Sequence, residues 1–267
     1  MDEPAERKER LKTVWALGDY AEIARRFEVV AEHAVAACGA GPGVRLLDIA
    51  AGNGNVAVVA ARAGAEVTAS DFSPALVTAG RARTQELDLD VRWDEADAEE
   101  LPYADASFDV AVSTFGLMFA PRPEVAAAEA FRVVRPGGTV ALTAWTPDGF
   151  TGQVTELLGE FLPAPLGAAH PIEWGIEATV RRRLEPHAAT IELTRGTVFW
   201  EFASLEETLA FQDANFGALI SARERLGERY HELREALAAL IREWNRAPDA
   251  GVRLPAAYLL VVARRPA

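Results

Sequence analysis

Asp48, Gly52, Gly54 and Asp71 have the types and spacing of a ligand grip. Leu46-Leu47-Asp48-Ile49 reads as a buried strand carrying an acid at its end, and Gly52-Asn53-Gly54 as the turn after it. Glycines there can take positive φ and let a ligand approach the backbone. The helix that starts near Asn55 points its first amides at the same place, where they suit a carboxylate. Asp71 closes a second strand and can accept both hydroxyls of a ribose. This order of parts grips an adenosine-containing ligand at the carboxyl end of a parallel sheet. Asp48, placed ahead of the glycines, suits a positive amine better than a pyrophosphate and can reach it directly or through water.

A third group narrows the ligand. In Ala96-Asp97-Ala98-Glu99-Glu100-Leu101-Pro102, Asp97 follows the third strand and is placed to accept a hydrogen bond from an adenine amino group. Ala98 leaves room for the ring and offers its amide. Phe72, beside Asp71, packs either on that ring or into the core. The G-x-G-x-x-A pattern (Gly52, Gly54, Ala57) also occurs in dinucleotide folds, so a nicotinamide-dependent oxidoreductase is a second reading. That reading requires neither Asp48 nor the Asp97-Ala98 pair.

These residues need a scaffold, and the chain spells one out. Residues 7–38 read as two helices broken at Gly18-Asp19, with apolar positions at three-to-four spacing. Strands are expected at 44–49, 65–70, 91–95, 108–114 and 139–145, with helices at 57–63, 74–87 and 124–134 between most of them. Ser73 is placed as an N-cap with Pro74 at the first helical position. Such alternation means a parallel sheet with right-handed crossovers. Beyond Trp145 the rhythm breaks. Residues 146–188 are Pro- and Gly-rich with helical patches, a strand lies within 189–202, and 204–246 carry a helical apolar stripe. A last strand at 256–263 has no helix after it and is expected to run antiparallel.

The predicted fold class is therefore α/β: a Rossmann-like, doubly wound, seven-stranded, mostly parallel sheet with a final antiparallel strand. Residues 1–43 form an N-terminal helical lid, 44–145 the ligand-binding core, 146–255 an acceptor-binding insertion, and 256–267 the last strand of the core sheet.

Composition excludes other classes. With 267 residues, half of them hydrophobic, the chain supports a sizeable core. The formal net charge of −13 argues against a nucleic-acid partner. Arg181-Arg182-Arg183 reads as a solvated helix face. No apolar run reaches the ~20 residues of a membrane span, and the charged N-terminus lacks a secretory signal, so a cytoplasmic location is expected. Cys38 is the sole cysteine and reads as structural. No His/Asp/Glu group has metal-ligand spacing, so no metal is expected.

The motifs together resemble the class I S-adenosylmethionine-dependent methyltransferases, particularly the ubiquinone and menaquinone C-methyltransferase branch (methyltransferase domain 11/25 type). The pattern is met at Leu47-Asp48-Ile-Ala-Ala-Gly52-Asn-Gly54-Asn55, at Asp71, at Asp97-Ala98-Glu-Glu-Leu101-Pro102-Tyr103-Ala-Asp105-Ala-Ser107-Phe108-Asp109, and at Val134-Arg-Pro136-Gly137-Gly138. Ala50 stands where a glycine is common, and Tyr103 where a phenylalanine is. The likeness spans about residues 44–145.

It implies S-adenosylmethionine as cofactor, S-adenosylhomocysteine as product and a small-molecule methyl acceptor. Tyr20, Asp48, Ala50, Gly52, Gly54, Asn55, Asp71, Phe72, Asp97 and Ala98 would then meet the cofactor. Ser113 and Thr114, after the fourth strand, would meet its methionine part. Phe115, Met118 and Phe119 would wall the acceptor pocket, with Trp145 and Trp174 as further acceptor contacts. The segment from Trp15 to Tyr20 resembles a lid, with the Tyr20 face able to close on a sulfonium; a core tyrosine fits equally well.

Methyl transfer from a sulfonium already has a good leaving group, so alignment and exclusion of water carry most of the work. A general base matters only where the acceptor keeps its proton, and His170 is the best placed of the four histidines for that role. The expected acceptor is small and moderately apolar, such as an aromatic or a natural-product intermediate. A non-catalytic regulator that kept the cofactor site is a third reading. The apolar faces of the N-terminal helices and of 204–246 admit a homodimer.

Overall fold

The computed structural model describes residues 3–163, 169–247 and 249–267. Seven strands form one sheet: β1 (Arg45–Ile49), β2 (Glu66–Asp71), β3 (Val91–Glu95), β4 (Phe108–Thr114), β5 (Val134–Trp145), β6 (Thr190–Phe202) and β7 (Val252–Arg264). Their spatial order is β3-β2-β1-β4-β5-β7-β6. The pairs among β1 to β5 are parallel, whereas β7 runs antiparallel to both β5 and β6. The expected Rossmann-like sheet, reversed at its last strand, is what the chain forms.

Strand order reverses between β1 and β4. That switch point opens a crevice at the carboxyl ends of the strands, where ligands bind in open α/β sheets. The middle strands are apolar on both sides because helices cover both: Leu46, Leu47, Ala111, Val112, Val140 and Ala141 are sealed from solvent.

Three helices precede the sheet: α1 (Glu3–Trp15), α2 (Tyr20–Arg25) and α3 (Glu28–Cys38). The break at Gly18-Asp19 is as expected, since Asp19 caps α2 by accepting the Ala21 amide at 2.9 Å. A second break at Phe27 was not legible. Phe27 leaves the helical region to put its ring edge-on to Trp145 and Trp200 at 5.0 and 4.4 Å, so tertiary packing overrides the helical period.

Between strands lie α4 (Asn55–Arg62), α5 (Pro74–Glu86) and α6 (Pro123–Arg132). After β5 come α7 (Phe150–Phe161), a 3-10 turn at Pro171–Gly175 and α8 (Glu177–Leu184). The apolar stripe after β6 is divided into α9 (Leu205–Asn215), α10 (Gly217–Leu226) and α11 (Tyr230–Trp244), with turns at Phe216 and Gly227. Arg183 is not part of a solvated face. It is buried, paired with Glu173 at 2.6 Å and Glu124 at 3.3 Å, and lies over the Trp174 ring. The aromatic cluster of Phe27, Trp200, Phe211 and Phe216 is core.

Candidate active site

An open cleft with about 630 Å³ of empty space lies at the switch point, between the carboxyl ends of β1, β2 and β4 and the inner face of α1. Its floor is the turn after β1. Ala50, Gly52 and Gly54 all adopt positive φ (+52°, +58° and +88°). The two glycines are needed for space as well as for φ. A Cβ on Gly52 would stand 2.6 Å from Tyr20 Cε1, and one on Gly54 would stand 2.8 Å from Trp93 Cζ2. The turn is thus pressed between Tyr20 of α2 on one side and Trp93 of β3 on the other.

Asp71 is locked to this turn. Its Oδ2 accepts the Gly52 amide at 2.9 Å and its Oδ1 accepts the Ser73 amide at 2.9 Å. Pro74 opens α5 as expected, but no side-chain bond from Ser73 caps it; Asp71 takes the Ser73 amide instead. Burial raises the Asp71 carboxyl to about 6, against the pull of the Ser73 and Gly52 amides.

Asp48, 1% exposed, does not line the cleft. Its Oδ2 accepts the Ala57 amide at 3.0 Å, capping the first turn of α4 from the strand below. Burial drives its carboxyl well above the usual range; the Ala57 amide opposes this and the Asp71 charge adds to it. Asn55 is likewise turned into the scaffold. It donates to the Ala24 carbonyl in α2 at 2.8 Å and accepts from Arg83 Nη1 at 2.7 Å. One side chain therefore joins the glycine turn's helix to α2.

Phe72, Asp97 and Ala98 line the far end of the cleft. Asp97 Oδ1 accepts the Glu99 amide at 2.9 Å, and Oδ2 receives Lys8 Nζ from α1 at 2.5 Å. Lys8 also meets Glu99 Oε2 at 2.6 Å. Arg122 approaches the same carboxylate from the other side, Nε to Oε2 at 2.8 Å. Burial by itself would lower the Lys8 ammonium, but its bonds to Asp97 and Glu99 outweigh that and the net direction is up.

The middle of the cleft is aromatic. Trp15 meets Tyr20 edge-on at 5.6 Å and Phe119 at 4.9 Å. Phe115, at φ +58°, lies flat on Trp145 with ring centres 3.7 Å apart and planes 6° apart. A non-glycine residue in that region costs about 1 kcal/mol or more, and such strain collects where a structure must aim a side chain. Here it turns the Phe115 ring to the cleft wall. The Tyr20 phenol is pushed up by burial, with the charges of Asp71 and Asp48 adding.

Of the residues that the sequence reading singled out, the fold gathers Tyr20, Ala50, Gly52, Asp71, Phe72, Asp97, Ala98, Phe115 and Phe119 around this cleft. It sets others behind it. Ser113 Oγ donates to the Ile49 carbonyl at 2.7 Å and accepts the Leu117 amide at 2.9 Å, fixing β4 to β1. Thr114 ends β4 off the lining, and Trp145 backs Phe115. Met118 and Trp174 line a separate small void beside β5. His170 sits ahead of the 3-10 turn, its carbonyl taking the Glu173 amide, and is not a lining residue. Lys8, Leu11 and Glu99 were not picked out by sequence. For Lys8 the one signal is that it and Lys12 are the only lysines in the chain.

Comparison with known proteins bears on what this cleft does. A methyltransferase-domain family matches residues 47–142. Two uncharacterised proteins of Mycobacterium tuberculosis are similar over most of the chain. One is 42% identical over 189 residues, covering 70% of this chain and 69% of that one; the other is 38% identical over 239 residues, covering 85% and 86%. A demethylmenaquinone methyltransferase of Renibacterium salmoninarum is 40% identical over 133 residues, covering 49% of this chain and 54% of that protein. Among solved structures, a geranyl diphosphate C-methyltransferase of Streptomyces coelicolor, determined with S-adenosylhomocysteine, shares the fold. Its TM-score is 0.53 at 19% identity, covering 92% of this chain and 82% of that one. The [4+2]-cyclase SpnF shares it too, at a TM-score of 0.54 and 22% identity over 90% and 80%.

Proposed function

This chain belongs to the class I methyltransferase family, and we propose that it uses S-adenosylmethionine to methylate a small, moderately apolar acceptor, with an aromatic compound as the leading class. The observation that carries this reading is the pairing of Asp71 with the Gly52 turn at one end of an aromatic cleft and Asp97 with Ala98 at the other.

The residues suit the cofactor. Gly52, at φ +58°, presents bare backbone to the cleft, and the buried Asp71 carboxylate, held by amide donors, lines the same cleft, as a diol requires. Asp97 and Ala98 offer an acceptor and an amide to an adenine edge, and Phe72 offers a face. When bound, S-adenosylmethionine supplies a methyl group on an already activated sulfonium. The chain's own part is alignment. Trp15, Tyr20, Phe115 and Phe119 make an aromatic wall that would orient a flat acceptor and, with cofactor and acceptor in place, keep water from the sulfonium. Tyr20 presents its face to a cation. Asp48 acts through α4, holding the amide end of the helix on the glycine turn.

His170 stands as a candidate base only if an acceptor reaches the 3-10 turn, away from this cleft; the cleft itself argues for acceptors that need little base help. Among the described residues no helix is long and apolar enough to cross a membrane; a cytoplasmic location is retained as a proposal. A homodimer is retained as a proposal on the apolar helix faces alone.

The test is to incubate the protein with methyl-labelled S-adenosylmethionine and a panel of phenols, quinols, aliphatic amines and carboxylates. Label should pass to the flat aromatic members. Transfer only to small polar acceptors would overturn the acceptor class, and no transfer alongside tight S-adenosylhomocysteine binding would favour a non-catalytic or cyclase-like role.

A further inference from the structure

The lid helix α1 is held over the cleft by charge as well as by apolar packing. Leu11 and Trp15 of α1 face the cavity, and Lys8, one turn earlier, reaches across its adenine end to Asp97 and Glu99 at 2.5 and 2.6 Å. Glu99 has no side-chain exposure and Lys8 has 17%. Shielding of that degree weakens screening and makes the pair stronger than an exposed one. Glu99 is itself anchored: Arg122, at the start of α6, donates to it from both its Nε and its backbone amide. The carboxylates therefore stand on a fixed base while Lys8 sits on α1, outside the sheet. The next lysine, Lys12, makes only an exposed i,i+3 contact with Glu9 and does not line the main cleft.

We propose that Lys8 is a positioning residue and ionic latch: it holds Asp97 in place for the adenine end of the cofactor and keeps α1 closed, so that cofactor exchange waits on rupture of the Lys8–Asp97/Glu99 contact. The inference rests on the cofactor reading above, and it assigns a role to a residue outside the motif-bearing core. Lys8 occupies the Asp97 oxygen that Glu99's amide does not, so the aspartate is fixed from both sides before any ligand arrives. Removing Lys8 frees one oxygen to swing and unties the helix that carries Trp15 to the aromatic wall.

The experiment is stopped-flow measurement of S-adenosylhomocysteine dissociation, read by tryptophan fluorescence, for the wild-type protein and for Lys8→Met, Lys8→Arg and Lys12→Met. Lys8→Met should speed dissociation by roughly fivefold or more, Lys8→Arg should restore most of the wild-type rate, and Lys12→Met should leave it unchanged. Raising salt from about 0.05 to 0.5 M should speed dissociation from wild type and do little to Lys8→Met, because the screened contact is already gone. Thermal midpoints should stay close throughout, which separates a latch from a general loosening of α1. An unchanged rate in Lys8→Met, or an equal rise in Lys12→Met, would overturn the latch while leaving the cofactor reading intact. Failure of the wild-type protein to bind S-adenosylhomocysteine at all would overturn both.

Discussion

The Asp71 carboxylate accepts the Gly52 amide at 2.9 Å, so the acid that closes β2 and the glycine turn that follows β1 act as one unit. Neither can be moved without the other. Gly52 takes φ +58° within the turn, and the aspartate holds the turn by its amide beside the cleft.

This coupling gives binding a pH dependence. Burial raises the Asp71 carboxyl to about 6. On the proposed cofactor reading the carboxylate binds the ribose hydroxyls, so S-adenosylhomocysteine affinity should be flat above about pH 7 and fall by up to about tenfold per unit below about 6. For folding, the sign is the opposite. The group is raised, so the stability it lends is full below the unfolded value of about 4 and is lost as pH rises through about 6. Titration from about pH 5 to 7.5 checks the first statement; an even affinity across that range contradicts it. Asp71→Asn should bind more weakly at neutral pH and lose most of the slope.

Gly52→Ala should be costly at the cleft. The new Cβ would stand 2.6 Å from Tyr20 Cε1 on a backbone at φ +58°. About 1–2 kcal/mol of strain is expected from the φ alone, and Tyr20 must leave the turn. Affinity for S-adenosylhomocysteine should drop at least tenfold in calorimetric titration, with Tyr20→Ala recovering part of the loss in the double variant. Additive losses would mean that the two residues do not meet.

At Gly116 the obstacle is backbone. A Cβ there would overlap the Ala50 carbonyl, so Gly116→Ala should lower stability by about 2 kcal/mol or more in urea unfolding. Ala50→Gly should be close to neutral. The φ of +52° favours glycine by about 1 kcal/mol, and the looser unfolded chain offsets most of that.

The acids of the Asp97–Asp109 motif do different jobs. Asp97 is at the cleft, whereas Asp109 lies at the opposite end of β4 and ties Arg45 of β1 to Arg135 of β5 at 3.2 and 2.6 Å. Arg45, with Arg135 helping, holds the Asp109 carboxyl down to about 2, against a smaller effect of burial. Its folded value is depressed, so its contribution is present above about pH 4 and is lost as pH falls toward 2. Asp109→Asn should cost about 1–2 kcal/mol at pH 7, with the gap closing toward pH 2 and ligand affinity unchanged. A constant gap across that range would contradict the assignment.

The parts of this site that are local in sequence were legible there. Strand, glycine turn, helix and closing acid follow one another, and each has residue types that its backbone or ligand requires. The sheet was legible for the same reason, down to the reversed last strand. Contacts between distant segments were not. Nothing near Lys8 points to Asp97 or Glu99, and Trp93 gives no hint that it packs beneath Gly54 and against Gly80 of α5. Phe27 breaks a good helical period for the sake of rings in β5 and β6. Asp48 and Asn55 read from sequence as members of the grip, whereas their hydrogen bonds run to Ala57 and Ala24, inside the scaffold. Arg183 looked solvated beside two other arginines until α8 packed it between Glu124 and Glu173.

Calorimetric titration of the purified protein with S-adenosylhomocysteine, with NADH run in parallel, tests the central claim most directly. The account predicts one S-adenosylhomocysteine bound per chain with micromolar affinity and no heat from NADH. Binding of NADH with silence toward S-adenosylhomocysteine would contradict it.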